Sequence, residues 1–377
     1  MDFAYSDEQQ MLRDSVRRYG EEHWNAADRL KTLAAGPERA KRRWAEMADL
    51  GWLMLPIAEA DGGLGGTPAD VMAVMEGMGR HLMTLPYVAS CVLVPALVGG
   101  SDAAAALLAG IGAGEVLAAA ALLEADGGYD PCHVATAAER SGDGWRLTGT
   151  KVHVEDGADA DRFIVSARTG GRTDEGDGIG LFLVDRAAAG LTIGRFRAID
   201  GHRHARLDLN AVDAIAIGDV QGAAPVIGAA VDRAIAAQLA EAVGSMEAAS
   251  EATLDHLRTR HQFGVPIGSF QVLQHRMVDM VVAGEEARSM LYHATLNLGR
   301  GADARARAVS AAKVRVAESG VYVGQQGVQL HGGVGFSDEL IVSHHLRRQM
   351  MLAQAFGNAD HHRSRFARLG GGPGGEA

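Results

Sequence analysis

The chain has 377 residues, of which 47% are hydrophobic and 22% charged, the balance of an ordinary folded protein with two or three packed units. Its formal net charge of -11 argues against nucleic acid or anionic membrane as a partner. No apolar run approaches the roughly 18 to 20 residues of a membrane span, and the first residues lack a signal-peptide pattern. With only Cys91 and Cys132, neither a disulfide framework nor a zinc site is expected, and we predict a cytoplasmic protein.

The first third of the chain is predicted to be helical. Ser6 and Gln9 have the spacing of a capping box, and apolar residues follow at helical intervals. A later helix is predicted to begin at Thr67-Pro68, which supplies an N-cap hydroxyl and a first-turn proline. These patterns predict an N-terminal all-α domain over residues 1–114.

The middle of the chain changes to a strand-like pattern. Short β-branched and aromatic runs alternate with turns rich in Gly and Asp, and no long helical pattern lies among them. The clearest runs are Trp145–Gly149, Phe163–Ala167 and Ile179–Val184. A small barrel or sandwich therefore fits residues 115–222 better than a βαβ sheet.

Helical periodicity returns over residues 223–369. Breaks are predicted near His261–Ser269, Gly299–Ala302 and His331–Ser337, so the segments between them are long. Helices of such length usually pack side by side in a bundle, often across a subunit boundary. Residues 370–377 are mostly glycine and are predicted to be a disordered tail.

Two segments at these breaks carry most of the functional information. Arg260–Gly264 (RHQFG) continues to Gln271, and Gln329–Phe336 reads QLHGGVGF. Taken singly, the Arg260 segment is interpreted as a helix–helix turn, with Phe263 in the core and Arg260 in solvent. The glycines of the Gln329 segment are interpreted as a helix cap. The chain has no Rossmann fingerprint and no P-loop.

Together, the two segments resemble the motifs of the acyl-CoA dehydrogenase family. The resemblance extends to the opening helix, to Glu124–Asp130 and to Gly149–Gly157, and so covers nearly the whole chain. It implies an α+β multidomain fold with an N-terminal helical domain, a central β-barrel or sandwich and a C-terminal four-helix bundle. This order agrees with the changes of period along the sequence.

The resemblance also implies FAD, an acyl-CoA substrate, an electron-transfer flavoprotein as electron acceptor and a tetramer built as a dimer of dimers. In such proteins a carboxylate removes the α-proton of the thioester while the β-hydride passes to the flavin. Hydrogen bonds to the thioester carbonyl stabilise the developing enolate. The implied setting is fatty acid or sterol catabolism.

Site residues follow from the resemblance position by position. Arg260 and Gln271 would lie near the FAD pyrophosphate of the neighbouring subunit, since a guanidinium matches phosphate oxygens, and Phe263 would pack on that cofactor. Gln329, Gly332 and Gly333 would approach the adenosine end of the cofactor. Leu123 and Glu155 would lie beside the flavin ring.

The chain departs from the family at the catalytic base. The usual C-terminal glutamate falls at Phe356, which cannot accept a proton. Some members carry the base on the first bundle helix, near Ala234 here, where Asp232 is a candidate and Glu241 a more distant one. Each of these acids is more readily read as a partly solvated helix residue, and Glu155 as a solvated turn acid rather than an unusual base.

Two histidine pairs, His344–His345 and His361–His362, invite a metal interpretation. Adjacent residues of a helix point to different faces, so neither pair makes a good ligand set, and we expect them at a subunit surface or near the adenine. No metal site is predicted.

The C-terminal segment resembles bacterial proteins of the pimeloyl-CoA dehydrogenase small-subunit type, and related enzymes for bulky acids work as heteromeric pairs. Three hypotheses stay open. The chain is a subunit of a heteromeric dehydrogenase with little chemistry of its own, or a self-sufficient homomer with an atypical base such as Asp232. The third is a flavin monooxygenase or nitroalkane-oxidase-like enzyme; a non-catalytic partner subunit is the remaining possibility.

Overall fold

The structure is a computed structural model that describes residues 5–24, 29–31 and 37–370, with side chains omitted for 37–39. Residues 371–377 of the predicted tail and the first four residues lie outside this description, whereas residue 370 ends a helix. Internal contacts group the chain into two compact units. The first, called the helical unit, consists of Met1–Ala34, Pro68–Met83 and Ile235–Ala377. The second, called the β unit, consists of Ala35–Thr67 and Thr84–Ala234. Each unit joins segments that are distant in sequence, so this division cannot be compared with consecutive domains. The domain boundaries at residues 114, 222 and 369 therefore stay a prediction.

The α-helices occupy both ends of the chain, as predicted. They are α1 (Asp7–His23), α2 (Pro37–Asp49), α3 (Pro68–Arg80), α4 (Val94–Val98), α5 (Ala105–Gly112), α6 (Ala224–Thr259), α7 (Gln271–Asn297), α8 (Ala302–His331), α9 (Ile341–Gln354) and α10 (Ala359–Gly370). A buried π-helical turn, Val88–Leu93, precedes α4. No helix in the described ranges is both long and apolar enough to cross a membrane.

Local signals placed several helix ends correctly. Ser6 Oγ accepts a hydrogen bond from Gln9 N at 3.2 Å, and Gln9 Oε1 accepts one from Ser6 N at 3.1 Å, which completes the predicted capping box. All three predicted breaks separate helices α6 to α9. The cap of α8 is Gly332 at φ 68°, a left-handed value that favours glycine, so the predicted glycine cap is confirmed.

Helices α3 and α6 cross in the helical unit with their backbones in close contact. A Cβ added to Gly244 on α6 would lie 2.0 Å from the carbonyl oxygen of Glu76, and one added to Gly79 on α3 would lie 1.9 Å from that of Glu241. Backbone atoms cannot swing aside as a flexible side chain would. Glycine at both positions therefore sets the distance between the two helices.

Replacing Gly244 by alanine should force the crossing apart and lower the free energy of unfolding by about 1–3 kcal/mol, as overpacked cores do. Gly228→Ala on the same helix is the matched control, because a Cβ there meets nothing within 4 Å. The control should be neutral or slightly stabilising, since alanine favours helix. Equal denaturant-unfolding midpoints for the two variants would refute the packing argument.

The β unit is built on a closed ring of strands. The strands are β1 (Ala118–Ala121), β2 (Ala137–Ser141), β3 (Gly144–Val154), β4 (Arg162–Arg168), β5 (Ile179–Asp185), β6 (Leu191–Arg197) and β7 (Arg203–Ile217). Pairings run β4–β2–β3–β7–β5 and return to β4, while β1 pairs with β4 and β6 with β7. The prediction of a barrel or sandwich is thus confirmed.

Alternation along these strands fills the barrel with apolar side chains. On β7, Ala205, Leu207 and Leu209 are buried, while the residues between them are polar. They join a core of small and branched residues that includes Phe163, Phe182, Val165, Val184 and Leu147. The barrel gives β3 and the segment after β1 a rigid support.

Candidate functional site

The two sequence motifs meet at one end of the helical unit. A short connection joins α7 to α8, so these packed helices run antiparallel and the start of α7 lies beside the end of α8. The end of α6 reaches the same place, because the rings of His256 and His331 stack with centroids 4.3 Å apart. The structure therefore brings Arg260 and the Gln329–Gly333 segment to one region.

A small hairpin of β8 (His261–Gln262) and β9 (Val265–Pro266) follows α6. At its tip Phe263 has φ 54° and is 91% exposed, so the interpretation of this segment as a plain turn with Phe263 in the core does not hold. The left-handed backbone turns the side chain outward, where its ring centroid lies 6.1 Å from that of Phe270. An aromatic ring in this position is available to a partner or ligand.

Unsatisfied donors surround the hairpin. Arg260 is exposed, as predicted, and its guanidinium forms no ion pair with any residue in the described ranges. Helix α7 begins at Gln271 without a side-chain cap. The amides of Leu273 and Gln274 donate to the Phe270 carbonyl, which leaves those of Gln271 and Val272 without a partner among the described residues. A positive side chain beside a helix start is a suitable setting for a phosphate group.

The opposite side of this region is formed by the end of α8. Gln329 is exposed in the last turn, and Gly332 turns the chain with φ 68°. A Cβ would meet nothing within 4 Å at either Gly332 or Gly333, but only Gly332 has a left-handed backbone. No contact among the described residues requires glycine at 333, so this backbone is open to close approach by another molecule.

In the β unit, Leu123 is hydrogen-bonded to strand β3, and the adjacent residues Glu124 and Lys151 form a buried ion pair. Lys151 Nζ lies 2.7 Å from Glu124 Oε1 and 3.0 Å from Ser166 Oγ, and Lys151 is fully buried. Glu124 also accepts hydrogen bonds from Thr136 N, Thr136 Oγ and Ala135 N at 2.9, 2.6 and 2.7 Å. Glu124 thus fixes the segment that follows β1 to two neighbouring strands.

The ionisation of this pair follows from its contacts. Burial opposes the charge of Glu124, but Lys151 and the hydrogen bonds from Lys151 and Thr136 outweigh it and hold the carboxyl pKa below its usual value. Burial lowers the pKa of Lys151 to about 8 despite the attraction of Glu124. Both groups are therefore charged at neutral pH. Lys151 was not among the site residues predicted from the sequence.

Glu155 lies in the turn predicted after β3, and its side chain is partly buried. The following Asp156 has φ 51° and its Oδ1 accepts a hydrogen bond from His202 Nδ1 at 2.8 Å. Just before the turn, His153 has φ 49° at a bulge of β3, and its ring lies 6.0 Å from that of Phe196. Leu123 is held beside this strand, since its carbonyl accepts from Val152 N at 2.9 Å.

Phe356 occupies a corner between α9 and α10 rather than a helix. Its φ is 53°, and its carbonyl accepts a hydrogen bond from His362 Nε2 at 3.1 Å. The next residue, Gly357, has φ 114° and no room for a Cβ against the rings of His361 and His362. The position of the usual glutamate is thus a rigid turn that carries an apolar ring.

The expectation of partly solvated acids on α6 was wrong. Asp232 is fully buried and Glu241 is 4% exposed. Both oxygens of Glu241 accept hydrogen bonds from the Arg348 guanidinium, at 2.6 and 2.7 Å. Glu241 is therefore committed to a structural ion pair.

The histidine pairs were expected at a subunit surface or near the adenine, and an exposed surface position is wrong for three of the four rings. His344, His345 and His362 are all at least 96% buried. His345 Nδ1 lies 2.9 Å from Ser245 Oγ, so it joins α9 to α6. Within the described ranges no group of three acidic, histidine or cysteine side chains is arranged to hold a metal ion.

Comparison with known proteins identifies the class to which this fold and its motifs belong. Family models of the acyl-CoA dehydrogenase N-terminal, middle and C-terminal domains match residues 6–115, 119–212 and 225–370. The chain therefore belongs to the acyl-CoA dehydrogenase family, a family of oxidoreductases, and has its three-part fold.

Individual relatives agree over their full length. The short-chain specific acyl-CoA dehydrogenase of Clostridium acetobutylicum is 28% identical over 92% of this chain and 93% of its own length. The ChsE4-ChsE5 complex from Mycobacterium tuberculosis has a similar chain, with 27% identity, a TM-score of 0.86 and coverage of 99% and 100%. The FAD complex of PigA shares the fold at 24% identity and a TM-score of 0.88, with coverage of 98% and 99%.

Proposed function

We propose that this chain binds FAD and takes part in the α,β-desaturation of an acyl-CoA thioester. The observation that carries the proposal is the composition of one end of the helical unit. An arginine without an ion pair, an uncapped helix start and an exposed phenylalanine lie together there, where a flavin nucleotide needs phosphate and aromatic contacts.

The residues identified from the sequence would then have the following roles. Arg260 and Gln271 would hold the pyrophosphate, Phe263 would pack on the cofactor, and Gln329, Gly332 and Gly333 would approach the adenosine. Leu123 and Glu155 in the β unit would face a flavin ring, supported from below by Glu124 and Lys151. When bound, FAD supplies the acceptor for the substrate β-hydride, and these residues orient it and exclude water.

The helical residues would serve the cofactor of a neighbouring subunit in a dimer of dimers. Exposed apolar residues at this end of the unit support a covering partner, because monomers rarely expose such a patch. They are Phe263, Val265, Val272, Val334 and Phe336, each 39–91% exposed.

We further propose that the oligomer is heteromeric and that the partner subunit supplies the base. Phe356 cannot abstract a proton, and Glu241 is committed to Arg348. A related solved structure is described as a complex of two chains, ChsE4 and ChsE5. An electron-transfer flavoprotein would reoxidise the flavin, and the enzyme would work in the cytoplasm.

Purifying the full chain alone tests the heteromeric part. We expect substoichiometric flavin and no bleaching by acyl-CoA thioesters under anaerobic conditions, with both restored by a co-expressed partner. Stoichiometric FAD that an acyl-CoA bleaches in the chain alone would overturn it. Turnover that needs oxygen and no thioester would instead indicate the monooxygenase or oxidase alternative.

A second candidate, self-sufficient catalysis by Asp232, is retained because this acid is fully buried on α6, close to the position of the alternative family base. If the chain alone is bleached, Asp232→Asn should abolish bleaching and leave FAD content unchanged. Full activity in that variant would exclude Asp232 as the base.

The contribution of Arg260 to FAD binding is tested by Arg260→Gln. Loss of a charge-assisted contact of about 1.5–3 kcal/mol should weaken FAD binding roughly 10- to 150-fold. Arg300→Gln is the matched control, an exposed arginine at the opposite end of α7, and should bind FAD normally. Flavin fluorescence quenching on titration measures both constants, and equal values for the two variants would contradict the assignment.

A further inference from the structure

Two histidines lie face to face beside the Arg260 hairpin. The planes of His256, in the last turn of α6, and His331, at the end of α8, meet at 24° with centroids 4.3 Å apart. His331 Nδ1 donates to the carbonyl of Gly327 at 2.8 Å, which fixes its orientation. The ring of His256 is only partly buried, and its nitrogens have no hydrogen-bond partner in the part of the chain that the structure describes.

The surroundings of His256 oppose a proton on its ring. Burial lowers its pKa first, followed by His331 across the stack on α8 and Arg260 just beyond the end of α6. These two groups are the charged or titratable neighbours that act on His256, and neither is an anion. In the absence of a ligand, His256 is therefore neutral at neutral pH.

An anion at Arg260 would change this balance. Phosphate oxygens cancel the repulsion from Arg260 and offer an acceptor to a protonated ring. The free nitrogens of His256 and the unpaired guanidinium of Arg260 thus act on one ligand.

We propose that His256, with His331 stacked against it, is part of the phosphate-binding end of this site and takes up a proton when a pyrophosphate-bearing nucleotide binds beside Arg260. The inference rests on the proposed function, because both concern the same Arg260 region. It adds a ligand-binding residue to the motif and couples the affinity for the nucleotide to pH.

Calorimetric titration of FAD in two buffers of different ionisation enthalpy tests the coupling. The protein is the full chain, or its complex if flavin is retained only with a partner. The pyrophosphate of FAD is a diester whose charge is fixed near neutral pH, so a measured proton comes to the protein. We expect uptake of a large fraction of one proton, and a dissociation constant that rises with pH by at most about tenfold per unit.

His256→Phe keeps a ring against His331 but cannot accept a proton, so proton uptake should disappear and FAD binding should lose its pH dependence. His293→Phe, an exposed histidine towards the far end of α7, should retain both. If His256→Phe does not fold, His256→Gln makes the same test without a second aromatic ring.

The outcomes separate this proposal from the broader one. FAD binding without proton uptake, or with uptake that persists in the His256 variants, overturns the role of His256 and leaves FAD binding intact. Failure of both the chain and its complex to bind FAD overturns both proposals.

Discussion

Replacing Lys151 by methionine should lower the free energy of unfolding by about 3–5 kcal/mol, because it leaves Glu124 as an unpaired buried charge. Lys151 is fully buried and makes two side-chain hydrogen bonds, so no water can replace the lost ammonium without opening the barrel. Denaturant unfolding followed by circular dichroism measures the loss. The size of the effect makes this variant the most damaging single substitution predicted for the β unit.

Two controls make the Lys151 result specific. Arg146→Met removes a surface ion pair with Asp213, in which both side chains are more than half exposed, and should cost less than about 1 kcal/mol. Glu124→Gln combined with Lys151→Met removes both charges and should recover part of the loss. A Lys151→Met variant as stable as Arg146→Met would contradict the buried-pair argument.

Acid should destabilise the helical unit steeply below pH 6.5. Burial, followed by neighbouring positive charges, lowers the pKa of His81 to about 4 and those of His345 and His362 to about 3. In the unfolded chain these rings take up protons near pH 6.5, while the folded chain does not, so stability falls as the pH falls from about 6.5 towards these folded values. The expected slope is about 1.4 kcal/mol per pH unit for each ring, or about 4 kcal/mol per pH unit together.

Urea unfolding at a series of pH values between 7.5 and about 5 gives this slope directly. His345→Gln should reduce the slope by one proton, whatever its effect on stability at pH 7.5. His293→Gln, an exposed position on α7, should leave the slope unchanged. A slope that is the same in the wild type and in His345→Gln would show that His345 is already protonated when folded.

Sequence reasoning succeeded where the signals are local. The capping box at Ser6, the helix breaks and the glycine at 332 each depend on neighbours within a few residues, and the structure has them in place. The change from helical to strand periodicity likewise placed the barrel. The similarity of the two C-terminal motifs to a known family then supplied the functional class, which the family comparison confirms.

Sequence reasoning failed where the burial of a side chain depends on a partner that is distant in sequence. Glu241 was expected to be partly solvated, but its partner Arg348 lies 107 positions away and only the packed helices bring them together. The burial of His345 depends in the same way on Ser245. The interpretation of the Arg260 segment as a plain turn placed Phe263 in the core, whereas the left-handed backbone of a hairpin tip holds its side chain exposed.

That hairpin has a consequence for how the stability of this protein must be measured. A phenylalanine held 91% exposed by a fixed turn contributes little to the folding of one chain. Its hydrophobic surface is removed from water only when another molecule covers it. Burial of this ring therefore contributes to the free energy of assembly and not to that of folding a single chain. Under the proposed oligomer, the thermal midpoint becomes a function of protein and ligand concentration, and dilution by itself acts as a destabilising change.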